Sequence, residues 1–547
     1  MSTTVISSSK RESYPTLSGA ARRAAWVQYP RRVLFLLLAF AAALALITYT
    51  TDGIAAPGEP LLAPAARSVL LLAGALALAA VLGAGLTVVA VAVHGVQQRA
   101  GWLGALLRAV GRLSLFALAP LPVAALALLV LVIGFSLFGQ LPVAGEGSSG
   151  ARGLIVAALT IIPLSLLPAL LAAQAATRTI TLPGEQPGWR RWLGGAFTLL
   201  GALLVQTGGL FSGLIVVEAI FAQPGLGRLL FMHTAHRTLE GLGAVMAILA
   251  IVILLARLAA ELCEWIATFL LARGAAWRKS PASESSRRLW TAFALILLLL
   301  PLVMAVLGAV TPEAAALEQD LQSRLLPPSA EHPLGTDDLG RDLWTRARLG
   351  ALNTLGRAFL AAGLLLFPAI VIGMLSGALS ARQSWLWQSA GDLLLLPLDV
   401  LLFFPLLPAA LAVVALIGQP DSTMALLVVS ALLLARAARA GRSLWVARPA
   451  DGSLGFGLLM LGAVFVGALF AAFGLAVGLE YMGYGPQPPT PSLGQMLQGL
   501  QSVMRSAPQA AVALTLLIAA ISFPLYTAAD ALVDFSNSKW PLVHLNE

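Results

Sequence analysis

The sequence predicts an all-α polytopic membrane protein with about twelve transmembrane helices, arranged as two homologous six-helix halves. Only 11% of its 547 residues are charged and 59% are hydrophobic, whereas a soluble chain carries about a quarter charged residues. Apolar runs of about 18 or more residues recur, and each could cross a bilayer as a helix. In addition, a polar segment follows the fifth apolar run of each half, and the two segments share a similar pattern.

The apolar runs define the predicted organisation of the chain. Residues 1–30 are polar and basic and are expected to form a disordered cytoplasmic tail. The first half, 31–272, holds six predicted spans: 33–50, 66–93, 109–138, 153–174, 193–221 and 241–272. A polar linker, 273–288, is followed by the second half, 289–536, and by a short tail, 537–547. The spans of the second half are 289–311, 352–380, 387–418, 423–437, 453–480 and 508–534.

The distribution of basic residues predicts the orientation. With the amino terminus inside, most of the 34 Lys and Arg residues fall in cytoplasmic segments, as the positive-inside rule requires. Both termini and the linker are therefore expected in the cytoplasm. The net charge of +9 is explained by these segments, so it does not indicate nucleic-acid binding.

Two predicted exterior segments share a pattern that suggests duplication. The first is "VVEAIFAQPGLGRLL", 216–230, and the second is "GLEYMGYGPQPPTPSLGQML", 478–497. Each has a Glu near the end of the fifth span of its half, followed by Pro and Gly and then by Leu-Gly. Internal repeats of this kind are common in transporters.

A third polar segment, "HPLGTDDLGRDLW" at 332–344, is also predicted outside. Its Pro and Gly residues indicate a turn, and Thr336 or Asp337 is suited to cap a following helix. That helix is expected to be short and amphipathic, with Asp338, Arg341 and Asp342 on one face. A purely structural interfacial helix remains an alternative to a functional role.

Charged residues inside the spans are expected to face the bundle interior or water. Arg257 and Glu261 are spaced to pair on one helix face, and Asp392 and Asp399 are seven apart on one face. These acidic residues leave a proton relay open as an alternative. The single Cys263 excludes an intrachain disulfide, and the scattered histidines predict no metal site. No phosphate-binding Gly-rich loop is present, so we expect neither a cofactor nor enzymatic activity.

Several motifs resemble the permease subunits of dipeptide/oligopeptide/nickel-type ABC importers. Those similar to one subunit are "HPLGTDDLGRDLWTRARLGALNTL", "PLDVLLFFPLLPAALAVVAL" and "GYGPQPPTPSLGQML". Those similar to its partner subunit are "APGEP" at 56–60, "FGQLPVAG" at 138–145 and "VEAIFAQPGLGRLL" at 217–230. The chain thus resembles both subunits joined by gene fusion.

The resemblance implies a multi-pass permease of the cell (inner) membrane. It would pass peptides, nickel chelates or similar small solutes between its halves. Separate ATP-binding cassette ATPase subunits would supply the energy, and an extracytoplasmic substrate-binding protein would deliver the substrate. The residues implied at the exterior gate and docking surface are Glu218, Pro224, Gly225, Gly227, Arg228, Gly335, Thr336, Asp337, Asp338, Gly340, Arg341, Asp342, Pro488, Pro489 and Gly494.

The sequence departs from this family in its cytoplasmic loops. The segments 177–192 and 435–452 are short and lack the Glu-Ala-Ala motif of the loop that seats in the ATPase. The basic residues left there as candidate ATPase contacts are Arg190, Arg191, Arg439 and Arg442. Two alternatives follow: a degenerate permease serving as a structural subunit of a membrane complex, and a proton-coupled carrier.

Overall fold

The computed structural model describes most of the chain. The described residues are 33–41 apart from 35 and 39, 62–97, 121–138, 151–181, 187–271 apart from 222, 284–417 apart from 383, 422–446, and 454–539 apart from 505. Most of the predicted span 33–50 and the first part of 109–138 lie outside these residues.

The described part of the chain is almost entirely helical, as predicted. The helices of its first half are α1 (Leu62–Gln97), α2 (Val123–Phe138), α3 (Ala151–Ile180), α4 (Gly188–Val205), α5 (Thr207–Ile220), α6 (Leu226–His236) and α7 (Leu239–Leu271). Those of its second half are α8 (Glu284–Leu297), α9 (Leu299–Ala309), α10 (Glu313–Leu317), α11 (Leu343–Ser380), α12 (Trp385–Asp399), α13 (Leu406–Ile417), α14 (Ser422–Val446), α15 (Leu454–Tyr481), α16 (Leu493–Val503) and α17 (Pro508–Lys539).

Seven helical stretches are long and apolar enough to cross a membrane, one of them running through both α8 and α9, and the bent pair α4–α5 makes eight. The count covers described residues only, and the figure of twelve spans remains a prediction. The long helices pack against one another as a helical bundle, around one extended apolar core and three smaller apolar clusters among the described residues. It is a multi-pass membrane protein.

Three of the predicted continuous spans are interrupted. The span 289–311 is divided at Leu298 between α8 and α9. The span 193–221 bends by 50° between α4 and α5, at Gln206 beside the glycine pair Gly208–Gly209, a common site of helix kinks. The span 387–418 is divided: α12 ends at Asp399, a 3-10 turn covers Val400–Phe403, and α13 begins at Leu406. Phe404 is extended and Pro405 has no N–H to donate, so the helix cannot continue through this point.

The packing order of the helices recurs in the two halves. In the first half α1 packs on α3, α3 on α4, and α6 on both α5 and α7. In the second half α11 packs on α14, α14 on α15, and α16 on both α15 and α17. The same pattern of neighbours therefore occurs twice along the chain.

Each half also packs a short helix against the other half. In the first half α2 contacts α15, α16 and α17 of the second half, while α13 of the second half contacts α5, α6 and α7 of the first. Both helices also pack on their own half, α2 on α3 and α5 and α13 on α14 and α15, so each bridges the two halves.

Candidate functional site

A buried carboxyl group holds together three elements of the first half. Glu218, near the end of α5, is fully buried. The Ser68 hydroxyl of α1 donates to its Oε1 at 2.5 Å, and the Gly227 N–H of α6 donates to its Oε2 at 2.7 Å. Ser68 Oγ also accepts the Leu226 N–H at 2.8 Å. We call Ser68, Glu218, Leu226 and Gly227 the first clasp.

The second half contains the same arrangement. Glu480, at the end of α15, accepts from the Thr354 hydroxyl of α11 at 2.9 Å and from the Gly494 N–H of α16 at 3.0 Å. Thr354 Oγ1 accepts the Leu493 N–H at 3.2 Å. Thr354, Glu480, Leu493 and Gly494 are the second clasp. Each clasp joins a long helix, the end of the helix that carries the Glu, and the first turn of a short helix.

The clasps differ in charge. The Nη2 of Arg357, one turn after Thr354, lies 2.6 Å from Glu480 Oε1 and forms a buried ion pair. The corresponding position in the first half, three residues after Ser68, is Leu71. Glu218 is therefore satisfied by hydrogen bonds from neutral groups among the described residues, whereas Glu480 also has a cationic partner.

Glycine is required where the short helices meet the carboxyl groups. A Cβ on Gly227 would lie 2.6 Å from Ile215 Cα, and one on Gly494 would lie 2.3 Å from the Val477 carbonyl oxygen. These distances are well below contact distance, so any side chain would push the short helix away from its Glu. The Leu-Gly pair predicted from the repeated pattern has this physical basis.

The predicted gate residues near the first clasp lie close together. Glu218 and Gly227 are members of the clasp, Arg228 donates its backbone N–H to Glu218 at 3.3 Å, and Pro224 and Gly225 form the connection into α6. Near the second clasp, Pro488 and Pro489 lie in the connection into α16, whose Pro491 carbonyl accepts from the Asn353 side chain at 2.9 Å.

Three clasp side chains that take part in these hydrogen bonds were absent from the predicted site: Ser68, Thr354 and Glu480. Glu480 was visible in the sequence as the Glu of the second repeated segment. Ser68 and Thr354 carry no local signal, because each is an isolated hydroxyl residue in an apolar helix that holds other hydroxyl residues as well, such as Thr87 in α1 and Ser376 in α11. Only the alignment of the two halves in space identifies them as equivalent.

The prediction of a short amphipathic helix after Gly335 is wrong. Residues 332–342 form a hairpin in which Thr336 and Asp342 make an isolated antiparallel bridge. Gly335 and Gly340 have φ values of +78° and +72°, which favour glycine and are incompatible with a continuing helix. We call this segment the 332–342 hairpin.

The predicted cap of the following helix is also wrong. Helix α11 begins at Leu343, and its N-cap is Asp342, which accepts from the Thr345 N–H at 2.8 Å. Thr336 instead fixes the hairpin to the preceding segment through the Ser323 carbonyl at 2.5 Å and the Leu326 N–H at 2.8 Å. The cap lies later in the chain because the hairpin occupies the preceding residues, and the backbone groups there bond within the hairpin and not within a helix.

Asp337 is the centre of the hairpin. Its Oδ1 accepts the N–H groups of Leu339 and Arg341, both at 2.9 Å, and its Oδ2 lies 2.7 Å from Arg341 Nε. The buried Arg346 lies 3.7 Å from the same oxygen. Asp338 is half-buried, and its carbonyl accepts from Arg324 Nε at 2.6 Å. Arg341 therefore forms its ion pair with Asp337 and not with Asp338.

The hairpin also packs against Asp320. A Cβ on Gly340 would lie 1.7 Å from the Asp320 carbonyl oxygen. The hydroxyl of Ser323 and the N–H of Gln322 donate to the Asp320 carboxylate and lower its pKa. The hydrogen bonds order the turn at Asp320, and the close approach of Gly340 packs the hairpin on it.

Two predicted intramembrane acids are paired with predicted ATPase contacts. Asp392 lies 2.7 Å from Arg442, and Asp399 lies 2.7 Å from Arg439. Both acids of α12 therefore face α14, as their seven-residue spacing predicts. Arg257 and Glu261 influence one another by charge, but among the described residues no hydrogen bond joins them.

The other two candidate ATPase contacts, Arg190 and Arg191, lie in the first turns of α4. The guanidinium of Arg190 stacks on the Trp189 ring, with 5.1 Å between its Cζ and the ring centroid. Helix α3 ends at Ile180 and α4 begins at Gly188.

Comparison with known proteins finds transport permeases. The chain is 30% identical to the di/tripeptide transport system permease protein DppC of Pseudomonas aeruginosa over 273 residues, which are 42% of this chain and 87% of that protein. It is 28% identical to the dipeptide transport system permease protein DppC of Alkalihalophilus pseudofirmus over 227 residues, 38% of this chain and 72% of that protein.

A glutathione transport system permease protein, GsiD of Pectobacterium atrosepticum, is 28% identical over 235 residues, 39% of this chain and 74% of that protein. No family model matches the chain. Each relative matches roughly two fifths of the chain, about the size of one predicted half.

Proposed function

We propose, from the premise that this chain belongs to the family of peptide transport system permeases, that it forms the membrane passage of an ABC-type importer. Its substrates would be peptides or similar small solutes, passing between the two halves. ATP hydrolysis would occur on separate ATPase subunits, and an extracytoplasmic binding protein would deliver the substrate. The chain itself would carry out no chemical reaction.

The packing of α2 and α13 across the two halves is the observation that carries the proposal. Each of these short helices packs on the helices around the clasp of the other half. A passage between the halves would therefore be lined by both, and neither half would be complete without the other. This arrangement supports one chain acting in the place of two permease subunits.

The clasps would serve as the exterior gate. With both termini in the cytoplasm, as the basic residues indicate, the ends of α5 and α15 and the short helices α6 and α16 face outward. Each clasp ties its short helix to a long membrane helix through a buried carboxyl group, so movement of the long helix would move the outer surface. Docking of the binding protein on the outer surface would then shift the position of the same helices.

Family membership favours transport over the alternative of a structural subunit. Among the predicted ATPase contacts, Arg439 and Arg442 are engaged by Asp399 and Asp392. Contact with an ATPase would therefore depend mainly on Arg190, Arg191 and the adjoining links.

Affinity purification of the native chain, followed by mass spectrometry and an ATPase assay, tests the proposal. We expect an ATPase subunit to co-purify and its activity to rise on addition of the binding protein. An Arg190→Gln, Arg191→Gln variant should recover less ATPase, while Arg382→Gln, which removes one exposed charge elsewhere, should recover the normal amount. Recovery in a large assembly without any ATPase would contradict the proposal.

A further inference from the structure

The short helix of each clasp reaches across to the other half. In the second half, the Gln501 side chain of α16 donates through Nε2 to the Ile220 carbonyl oxygen at 3.1 Å. Ile220 is the last residue of α5, the helix that carries the Glu of the first clasp. In the first half, the Phe231 ring of α6 packs edge to face on the Tyr484 ring, with 6.4 Å between the ring centroids. Tyr484 lies just beyond the end of α15, so each short helix contacts the chain near the Glu of the opposite clasp.

Both ends of the Gln501 amide form hydrogen bonds. Its Oε1 accepts from the hydroxyl of Tyr481, the last residue of α15. The buried Ile220 carbonyl needs a donor from elsewhere, because the residue four positions later is Pro224, which has no N–H. A carbonyl oxygen only accepts and the Tyr hydroxyl can donate, so the two partners fix the orientation of the amide. Gln501 therefore joins the ends of the two helices that carry the clasp carboxyl groups.

The link between the clasps is weaker than the clasps themselves. Each clasp gathers several donors around a buried carboxyl group, and the second clasp also contains the Arg357–Glu480 ion pair. The link uses a neutral amide and a pair of aromatic rings. Hydrogen bonds with an ionised partner are roughly twice as strong as those between neutral groups. If the halves separate, the link would therefore break while both clasps stay intact.

We propose that Gln501 and the Phe231–Tyr484 contact lock the two clasps to each other and hold the outer gate closed. Gln501 is a positioning residue, because it acts through the ends of α5 and α15 and not on the solute. While the link holds, the two halves stay together at the clasps, and docking of the binding protein supplies the free energy that breaks it. This inference rests on the proposed function, because it requires the clasps to form the gate.

ATPase activity without the binding protein tests the lock, with the chain and its co-purified ATPase in lipid nanodiscs. Gln501→Leu removes the amide from the closed state, so we expect this activity to rise about fivefold, the effect of about one hydrogen bond. Damage to the fold would lower the activity instead. Tyr481→Phe removes only the bond that orients the amide and should give a smaller rise. Gln498→Leu makes the same change at an exposed position one turn earlier on α16 and should leave the activity unchanged.

A reversible cross-link tests the lock in the opposite direction. In a Cys263→Ala background, Phe231→Cys plus Tyr484→Cys can be joined by a short bis-methanethiosulfonate reagent, which would keep the gate closed. We expect the cross-linked chain to lose most of its ATP-driven uptake of dialanine and to regain it after reduction. Each single Cys variant, treated with the same reagent, should keep its uptake.

The outcomes separate this inference from the proposed function. Unchanged ATPase activity in Gln501→Leu, or full uptake by the cross-linked chain, would overturn the lock. If the unchanged chain still showed ATP-driven uptake that depends on the binding protein, the proposed function would stand. Absence of such uptake in the unchanged chain would overturn both.

Discussion

At the residue scale, the two clasps predict different responses to the same substitution. Glu480→Gln leaves Arg357 buried without its counter-charge, which should lower the free energy of unfolding by about 3 kcal/mol. Glu218→Gln removes no ion pair among the described residues, and a Gln amide offers both an acceptor for Gly227 and a donor for Ser68. We expect its effect to be below about 1 kcal/mol.

Thermal unfolding of the purified variants in detergent measures this difference. The double variant Glu480→Gln plus Arg357→Leu removes both charges and brings the second clasp close to the residue types of the first. It should recover much of the lost stability. Equal loss of stability in the two single Gln variants would show that the Arg357 pair does not distinguish the clasps.

The glycine contacts give a second prediction at this scale. Gly494→Ala places a Cβ within 2.3 Å of a backbone oxygen, whereas a Cβ on Gly499 of the same helix meets nothing within 4 Å. The Gly494 variant should therefore separate α16 from Glu480 and reduce uptake strongly, while Gly499→Ala should behave like the unchanged chain. Similar uptake by the two variants would argue against the clasp as part of the gate.

At the element scale, the start of α11 depends on one carboxylate. Asp342→Ala removes the N-cap and should lower stability by about 1 kcal/mol, while Asp342→Asn, which keeps an acceptor, should have a smaller effect. Asp338→Ala should leave stability unchanged, because Asp338 contributes only its backbone carbonyl to the described hydrogen bonds of the hairpin. Binding protein docking should weaken in the Asp338 variant.

Unfolding midpoints and docking affinities of these three variants separate a structural role from a binding role. A large fall in the midpoint with Asp338→Ala would assign that residue to the structure instead. A normal midpoint with Asp342→Ala would contradict its role as the cap.

The helical nature of the spans was predictable from the sequence, but the breaks within the helices were less predictable. Apolar runs identify helices reliably because lipid requires internal hydrogen bonding. They do not mark the break at Phe404–Pro405, since proline is tolerated in many membrane helices. The 332–342 hairpin was read as helical because Asp338, Arg341 and Asp342 also fit helical spacing; the positive φ values of Gly335 and Gly340 decided otherwise.

At the scale of the whole molecule, the sequence predicted the all-α fold and the repeated segments after the fifth spans. It did not predict that α2 and α13 would each pack on the other half, because contacts between distant segments leave no local pattern. The hydroxyl partners Ser68 and Thr354 were missed for the same reason.

Cysteine labelling tests the predicted orientation. In a Cys263→Ala background, a Cys at position 338 should react with a membrane-impermeant thiol reagent added from outside. A Cys at position 382 should react only after the membrane is permeabilised. Labelling of position 338 from the cytoplasm alone would reverse the orientation and place the clasps on the inner side.

The central claim is that this one chain provides the passage of an ATP-driven peptide importer. Uptake of radiolabelled dialanine into proteoliposomes, containing the chain with its co-purified ATPase and a binding protein, tests it most directly. We expect accumulation that requires ATP and the binding protein and that falls with Gly494→Ala but not with Gly499→Ala. Accumulation driven by a proton gradient without ATP, or no accumulation at all, would contradict it.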